Sequence, residues 1–184
     1  MNPIIKIEHL CASYDQKEVL QDVNLTVYQD DYLGIIGPNG GGKTTLMKII
    51  LGLKKPSAGS IKFYQPATST EGNNEPREVK EITMGYLPQY NDLDHQFPIS
   101  VYEVVLSGLS KTKGLFARYT KAHHQQVLDT LERMQLVDLK DRHIGALSGG
   151  QLQRVLLARA IVSKPDVVIL DEPNPYIDRR FQKQ

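Results

Sequence analysis

The chain has 184 residues, 40% of them hydrophobic and 23% charged, with a formal net charge of +1. That length suits one domain with a real apolar core, and the near-neutral balance excludes a global field drawing in nucleic acid or an anionic membrane. A lone cysteine, Cys11, excludes an internal disulfide and fits a reducing compartment.

The elements follow from apolar periodicity. Ile5 and Ile7, then Val23, Leu25 and Val27, alternate with polar neighbours, which predicts half-buried strands. The short apolar run 32–36 ends in glycine and predicts a buried strand feeding a loop. Residues 44–53 have helical spacing and stop at Gly52 and Pro56. Residues 60–64 predict an edge strand, the polar stretch 65–80 an exposed loop, and 82–87 a further strand halted by Pro88.

From Val101 the pattern turns helical. Val101, Val104, Val105 and Leu109 share one face; Val127, Leu128, Leu131 and Met134 form a second stripe; Leu152, Val155 and Leu156 begin a third. Strand character returns at Val167. No apolar run approaches the roughly 18 residues of a membrane span, and the N-terminus lacks the charged start and apolar stretch of a signal peptide. The expectation is a soluble, cytoplasmic chain that reaches a membrane only by docking on a partner.

Three motifs punctuate these elements. Gly37, Pro38, Asn39, Gly40, Gly41, Gly42, Lys43 and Thr44 fit the phosphate-cradling pattern G-x-x-x-x-G-K-[ST] between a predicted strand and a predicted helix. Glycine lets backbone N–H groups crowd a polyphosphate, and the helix N-terminus adds partial positive charge. Lys43 is then expected on the β- and γ-phosphates, the Thr44 hydroxyl on Mg²⁺, and Thr45 on the α-phosphate. Second, the strand from Val167 ends in Asp171 and Glu172. Asp171 suits Mg²⁺, and Glu172 suits a general base on the attacking water. Third, Leu147, Ser148, Gly149, Gly150 and Gln151 precede a helix running to about Val162, with Ser148 a good N-cap and the following amides able to meet an anion.

Taken together, the three motifs resemble the ATP-binding subunit of ABC transporters. The resemblance implies an α/β fold: a P-loop NTPase core with a mixed sheet, an antiparallel β subdomain and a helical subdomain. Residues 1–90 and 161–184 would form the nucleotide-binding core, and 91–160 the helical part carrying Ser148, Gly149, Gly150 and Gln151. Those four would cap the ATP held by a second copy in a head-to-tail dimer. Tyr14 matches the aromatic that stacks on adenine. Gln89 matches the glutamine that touches Mg²⁺ and links the core to the helical part. Asp178 matches the aspartate that crosses the dimer interface. ATP and Mg²⁺ are the implied ligands, and the catalytic set would be Glu172, Lys43 and Gln89.

Tyr86, Leu87, Pro88 and Gln89, followed by Phe97, Pro98, Ile99, Ser100 and Val101, look like the subgroup serving importers of zinc, manganese or iron. Gly114, Leu115 and Phe116, ahead of His123 and His124, strengthen the likeness. The implied partners are a membrane permease, an extracytoplasmic solute-binding protein acting indirectly, and a second identical or homologous ATPase, with no nucleic acid. The implied location is cytoplasmic, peripheral on the inner face of the cell membrane.

The family's histidine beyond Asp178 has no counterpart, since none follows His143 before Gln184. The expectation is a C-terminally truncated chain in which ATP binding survives better than hydrolysis. A soluble non-transport ABC ATPase and a nucleotide-binding fragment with little hydrolysis stay open as alternatives. A GTPase does not, for want of a guanine-reading N-K-x-D segment. The five histidines show no metal-ligand spacing and are expected at the solvated surface. Cys11 is expected to be a small buried apolar residue.

Overall fold

The computed structural model describes residues 2–14, 17–65, 76–88, 98–112 and 117–171. It divides into two units, Met1–Ile82 and Thr83–Gln184.

In the first unit, β1 (Pro3–Tyr14), β2 (Lys17–Tyr28), β3 (Ala58–Gln65) and β4 (Arg77–Val79) form an antiparallel sheet in the order β2-β1-β3-β4, and α1 spans Lys43–Ile50. The expected alternation is present in β1, but it changes phase. Ile5 and Ile7 are buried, then Leu10 and Ala12. A bulge between Ile7 and Leu10 explains the shift, with His9 at φ 50°. One extra residue reverses which side chains face the core. The bulge is braced by Asn24 Oδ1, which accepts from the His9 N–H at 2.9 Å, and by His9 Nδ1 lying 2.7 Å from Asp22 Oδ1. The His9 contact holds the exposed Asp22 carboxyl below the usual carboxylate range.

Four expectations change here. The run 32–36 is not a buried strand: Tyr32 is 99% and Ile36 97% exposed, and no described strand pairs with it. A strand exists only through its ladder, so an unpartnered apolar run stays irregular. Residues 60–64 are not an edge, because β3 lies between β1 and β4. The stretch 65–80 is not all loop, since Gln65 pairs with Arg77 to start β4. Nor is Cys11 a buried apolar residue: it is half-buried, and its Sγ accepts from the Asp22 N–H at 3.4 Å.

In the second unit, β5 (Met84–Leu87) and β6 (Val167–Leu170) pair in parallel, Met84 opposite Val167 and Leu87 opposite Leu170. Between them run α2 (Val101–Ser107), α3 (Lys121–Arg133) and α4 (Gly149–Ile161), with single 3₁₀ turns at Ser110–Thr112, Val137–Leu139 and Ile144–Ala146. All three helices begin with a capping box. In α2 the Ser100 N–H donates to Glu103 Oε2 at 2.8 Å, and together with the Ser100 hydroxyl it holds the Glu103 carboxyl below its usual range. In α3 the box uses His123, whose Nδ1 accepts from the Thr120 N–H.

The three predicted stripes converge on one core. Val101, Val105, Val127, Leu131, Leu152 and Val155 have essentially no exposure, each such burial contributing about 1.5–3 kcal/mol. Leu128 departs from its stripe, at 39% exposed. Its neighbours at 127 and 131 already fill the narrow contact face of α3, leaving it on the shoulder.

Two glycines set how closely α4 is approached. A Cβ at Gly85 on β5 would lie 2.2 Å from the Ala160 carbonyl oxygen, and one at Gly108 would lie 2.2 Å from that of Arg159. Backbone cannot give way as a side-chain tip can. Gly85→Val is therefore expected to destabilise the protein by about 3 kcal/mol, read as a lower urea midpoint. An unchanged midpoint would contradict this close approach.

Candidate functional site

The cradle is formed in the first unit. The Gly41 N–H donates to the Pro38 carbonyl at 3.1 Å, closing a turn, and Gly40 and Gly42 have φ of 77° and 85°. At Gly42 glycine is required twice over, because a Cβ would also lie 2.6 Å from Leu20 Cδ2 and 2.9 Å from the Val19 carbonyl oxygen. At Gly37 and Gly40 a Cβ would meet nothing within 4 Å. The left-handed φ accounts for glycine at Gly40, whereas at Gly37 packing inside the protein leaves the small residue unexplained and open to close approach of a ligand. Asn39 is exposed beside them.

α1 starts directly from this turn with Gly42 as N-cap, and no side chain caps it. Its first turn carries no acidic residue and opens with Lys43. A cation there opposes the helix dipole and costs stability, so its place suits an anion rather than the fold. The Lys43 Nζ donates to the carbonyls of Gly37 and Pro38, both at 2.9 Å, which bends the ammonium back over the loop. Thr44 is exposed in the first turn and Thr45 is buried, at 8%.

Tyr14 closes β1 and remains 45% exposed. The Lys54 Nζ sits over its ring, 3.8 Å from the centroid, and donates to the Ser13 carbonyl at 3.1 Å. Lys54 was not legible as a functional residue, because beside Lys55 and Pro56 it reads as a solvated turn.

In the second unit Asp171 directly follows β6 and is 5% exposed. Its N–H donates to the Leu87 carbonyl at 3.0 Å, which fixes the backbone of the strand end. The Tyr86 hydroxyl donates to Asp171 Oδ2 at 3.4 Å. The sequence singled out Tyr86 as part of the run 86–89 but not as a partner of Asp171. A buried carboxylate and a threonine hydroxyl are hard oxygen donors of the kind Mg²⁺ takes, so Asp171 and Thr44 each fit that ion. Among the described residues no group of three His, Cys, Asp or Glu side chains is placed to hold a metal.

Ser148 caps α4 as expected. Its Oγ accepts from the Gln151 N–H at 3.3 Å, and Gln151 Oε1 accepts from the Ser148 N–H at 2.9 Å. Such a cap contributes about 1 kcal/mol. Gly149 and Gly150 stand exposed in the first turn, and a Cβ at Gly150 would meet nothing within 4 Å. Capping explains Ser148 and Gln151, but not the two glycines. Gln89, Glu172 and Asp178 lie outside the described residues. No helix among the described residues is long and apolar enough to cross a membrane.

Comparison with known proteins adds to this geometry. The family model described as ABC transporter matches residues 20–174. The chain is 42% identical over 160 residues to a probable metal transport system ATP-binding protein of Chlamydia trachomatis, covering 87% of this chain and 64% of that one. It is 38% identical to the zinc uptake system ATP-binding protein ZurA of Listeria innocua, covering 97% of this chain and 67% of that one. With the zinc import ATP-binding protein ZnuC of Pasteurella multocida it shares 36% identity, over 99% of this chain and 59% of that one. Among solved structures it resembles a metal-chelate type ABC transporter in an inward-facing conformation, with a TM-score of 0.79 and 31% identity, covering 97% of this chain and 63% of that chain. The chain thus spans 64% of the first of these relatives.

Proposed function

This chain belongs to the ABC transporter family, and from that premise we propose that it binds and hydrolyses ATP to power import of a metal ion, zinc, manganese or iron, through a separate membrane permease. The observation that carries the ATP reading is the glycine turn with Lys43 opening an uncapped helix, a cation held where only an anion would favour it. The names of the relatives, zinc uptake and zinc import among them, support the metal reading.

In this reading the adenine stacks on Tyr14, and the phosphates lie in the loop of Gly37, Pro38, Asn39, Gly40, Gly41 and Gly42 with Lys43 on the β- and γ-phosphates and Thr45 on the α-phosphate. Thr44, Asp171 and Gln89 would hold Mg²⁺, which when bound offsets phosphate charge. Two copies, or this chain and a homologue, close head to tail, so that Ser148, Gly149, Gly150 and Gln151 meet the partner's ATP and Asp178 lines the interface. Glu172 accepts a proton from water as the oxygen attacks the γ-phosphorus. The bond to the bridging oxygen breaks, and ADP and phosphate leave. Gln89 passes the change to the permease through the helical part, 91–160, from the core formed by 1–90 and 161–184. The chain then sits on the inner face of the cell membrane, with an extracytoplasmic solute-binding protein delivering the ion.

The test is tagged capture from detergent-solubilised native membranes with mass spectrometry of what co-purifies. A multi-span membrane protein is the expected catch. Recovery of soluble partners alone would move the chain to the non-transport ABC ATPases and leave the ATP site standing.

A further inference from the structure

Lys54 has no part in the phosphate site, yet three contacts hold it. Its backbone N–H donates to the Lys48 carbonyl at 3.2 Å, in the last turn of α1. Its ammonium donates to the Ser13 carbonyl at 3.1 Å and lies 3.8 Å from the centre of the Tyr14 ring. Ser57, three residues on, accepts from the Ser13 N–H at 3.1 Å and donates its own N–H to the Cys11 carbonyl at 2.8 Å. The segment leaving α1 therefore clamps the end of β1 just where Tyr14 stands. The helix that opens with Lys43 is tied through Lys54 to the tyrosine.

A half-buried lysine at the surface gains little from folding back onto a ring unless the ring's position matters. Here the ammonium covers one face of Tyr14, and the residue stays 45% exposed. A cation on one face draws the ring's negative quadrupole towards itself. The opposite face is left poorer in electrons and stacks better on an electron-rich purine. The clamp also orders the ring before a base arrives, which lowers the cost of binding.

We propose that Lys54 is a positioning residue for nucleotide binding: it fixes and polarises the Tyr14 ring as a one-sided platform for a purine base. This rests on the reading of Tyr14 as the base-stacking residue. The test is calorimetric titration of the full chain with ATP and with inorganic tripolyphosphate, which has no base. Lys54→Met is expected to weaken ATP about fivefold and leave tripolyphosphate unchanged. Lys54→Arg, which keeps the cation over the ring, is expected to stay close to the parent, and it serves as the folded control should Lys54→Met lose structure. An equal loss for ATP and tripolyphosphate would overturn the proposal, because the lysine would then act as a general phosphate attractor. Unchanged ATP affinity in Lys54→Met beside a loss in Tyr14→Ala would overturn the role of Lys54 alone. Unchanged affinity in Tyr14→Ala would remove the platform itself.

Discussion

Lys43→Ala is expected to weaken ATP binding about a hundredfold, since charge-assisted bonds to buried or crowded phosphates are among the strongest single interactions a site offers. The fold should not suffer equally. Lys43 opens α1, where its charge opposes the helix dipole, and alanine is the best helix former. The loop gives up only the two hydrogen bonds that the ammonium donates to the Gly37 and Pro38 carbonyls. The two effects therefore separate in two measurements, a nucleotide titration and a thermal melt. Loss of ATP binding with a near-parental melt supports a ligand role. A melt that collapses with binding would mean that the lysine holds the loop together and that its contact with phosphate is secondary.

Glu172→Gln is expected to lower ATP turnover by about a thousandfold, within the range given by losing a positioned general base. Glutamine keeps size and hydrogen-bonding capacity but cannot take the proton from water. ATP affinity should hold or rise, because nothing that grips the phosphates is removed. In the head-to-tail reading the variant should accumulate as an ATP-bound dimer, visible as a shift in light scattering on adding ATP. Turnover equal to the parent would remove Glu172 from the role of base. Asp171, its neighbour, would remain a candidate ligand for Mg²⁺ through its buried carboxylate.

Much of the cradle was legible because its parts are consecutive. Eight adjacent residues set the turn, the left-handed glycines and the start of α1, and local backbone geometry carries all of it. Ser148 and Gln151 were legible for the same reason, a capping box being a contact across three residues. The apolar stripes of α2, α3 and α4 followed from helical period alone, except at Leu128, where the width of the contact face decided.

Short segments of the chain thus carry the chemistry: the phosphate loop with its lysine, the strand ending in Asp171, the capped helix at Ser148, and through them the family. The tertiary structure alone decided which distant residues meet. Lys54 lies over Tyr14, Tyr86 reaches Asp171, β3 sits between β1 and β4, and the bulge at His9 turns Leu10 and Ala12 inward. The physical reason is that each of these depends on strand register and on the path of a turn. A shift of one residue reverses every side chain on a strand, and spacing along the chain does not say which register wins.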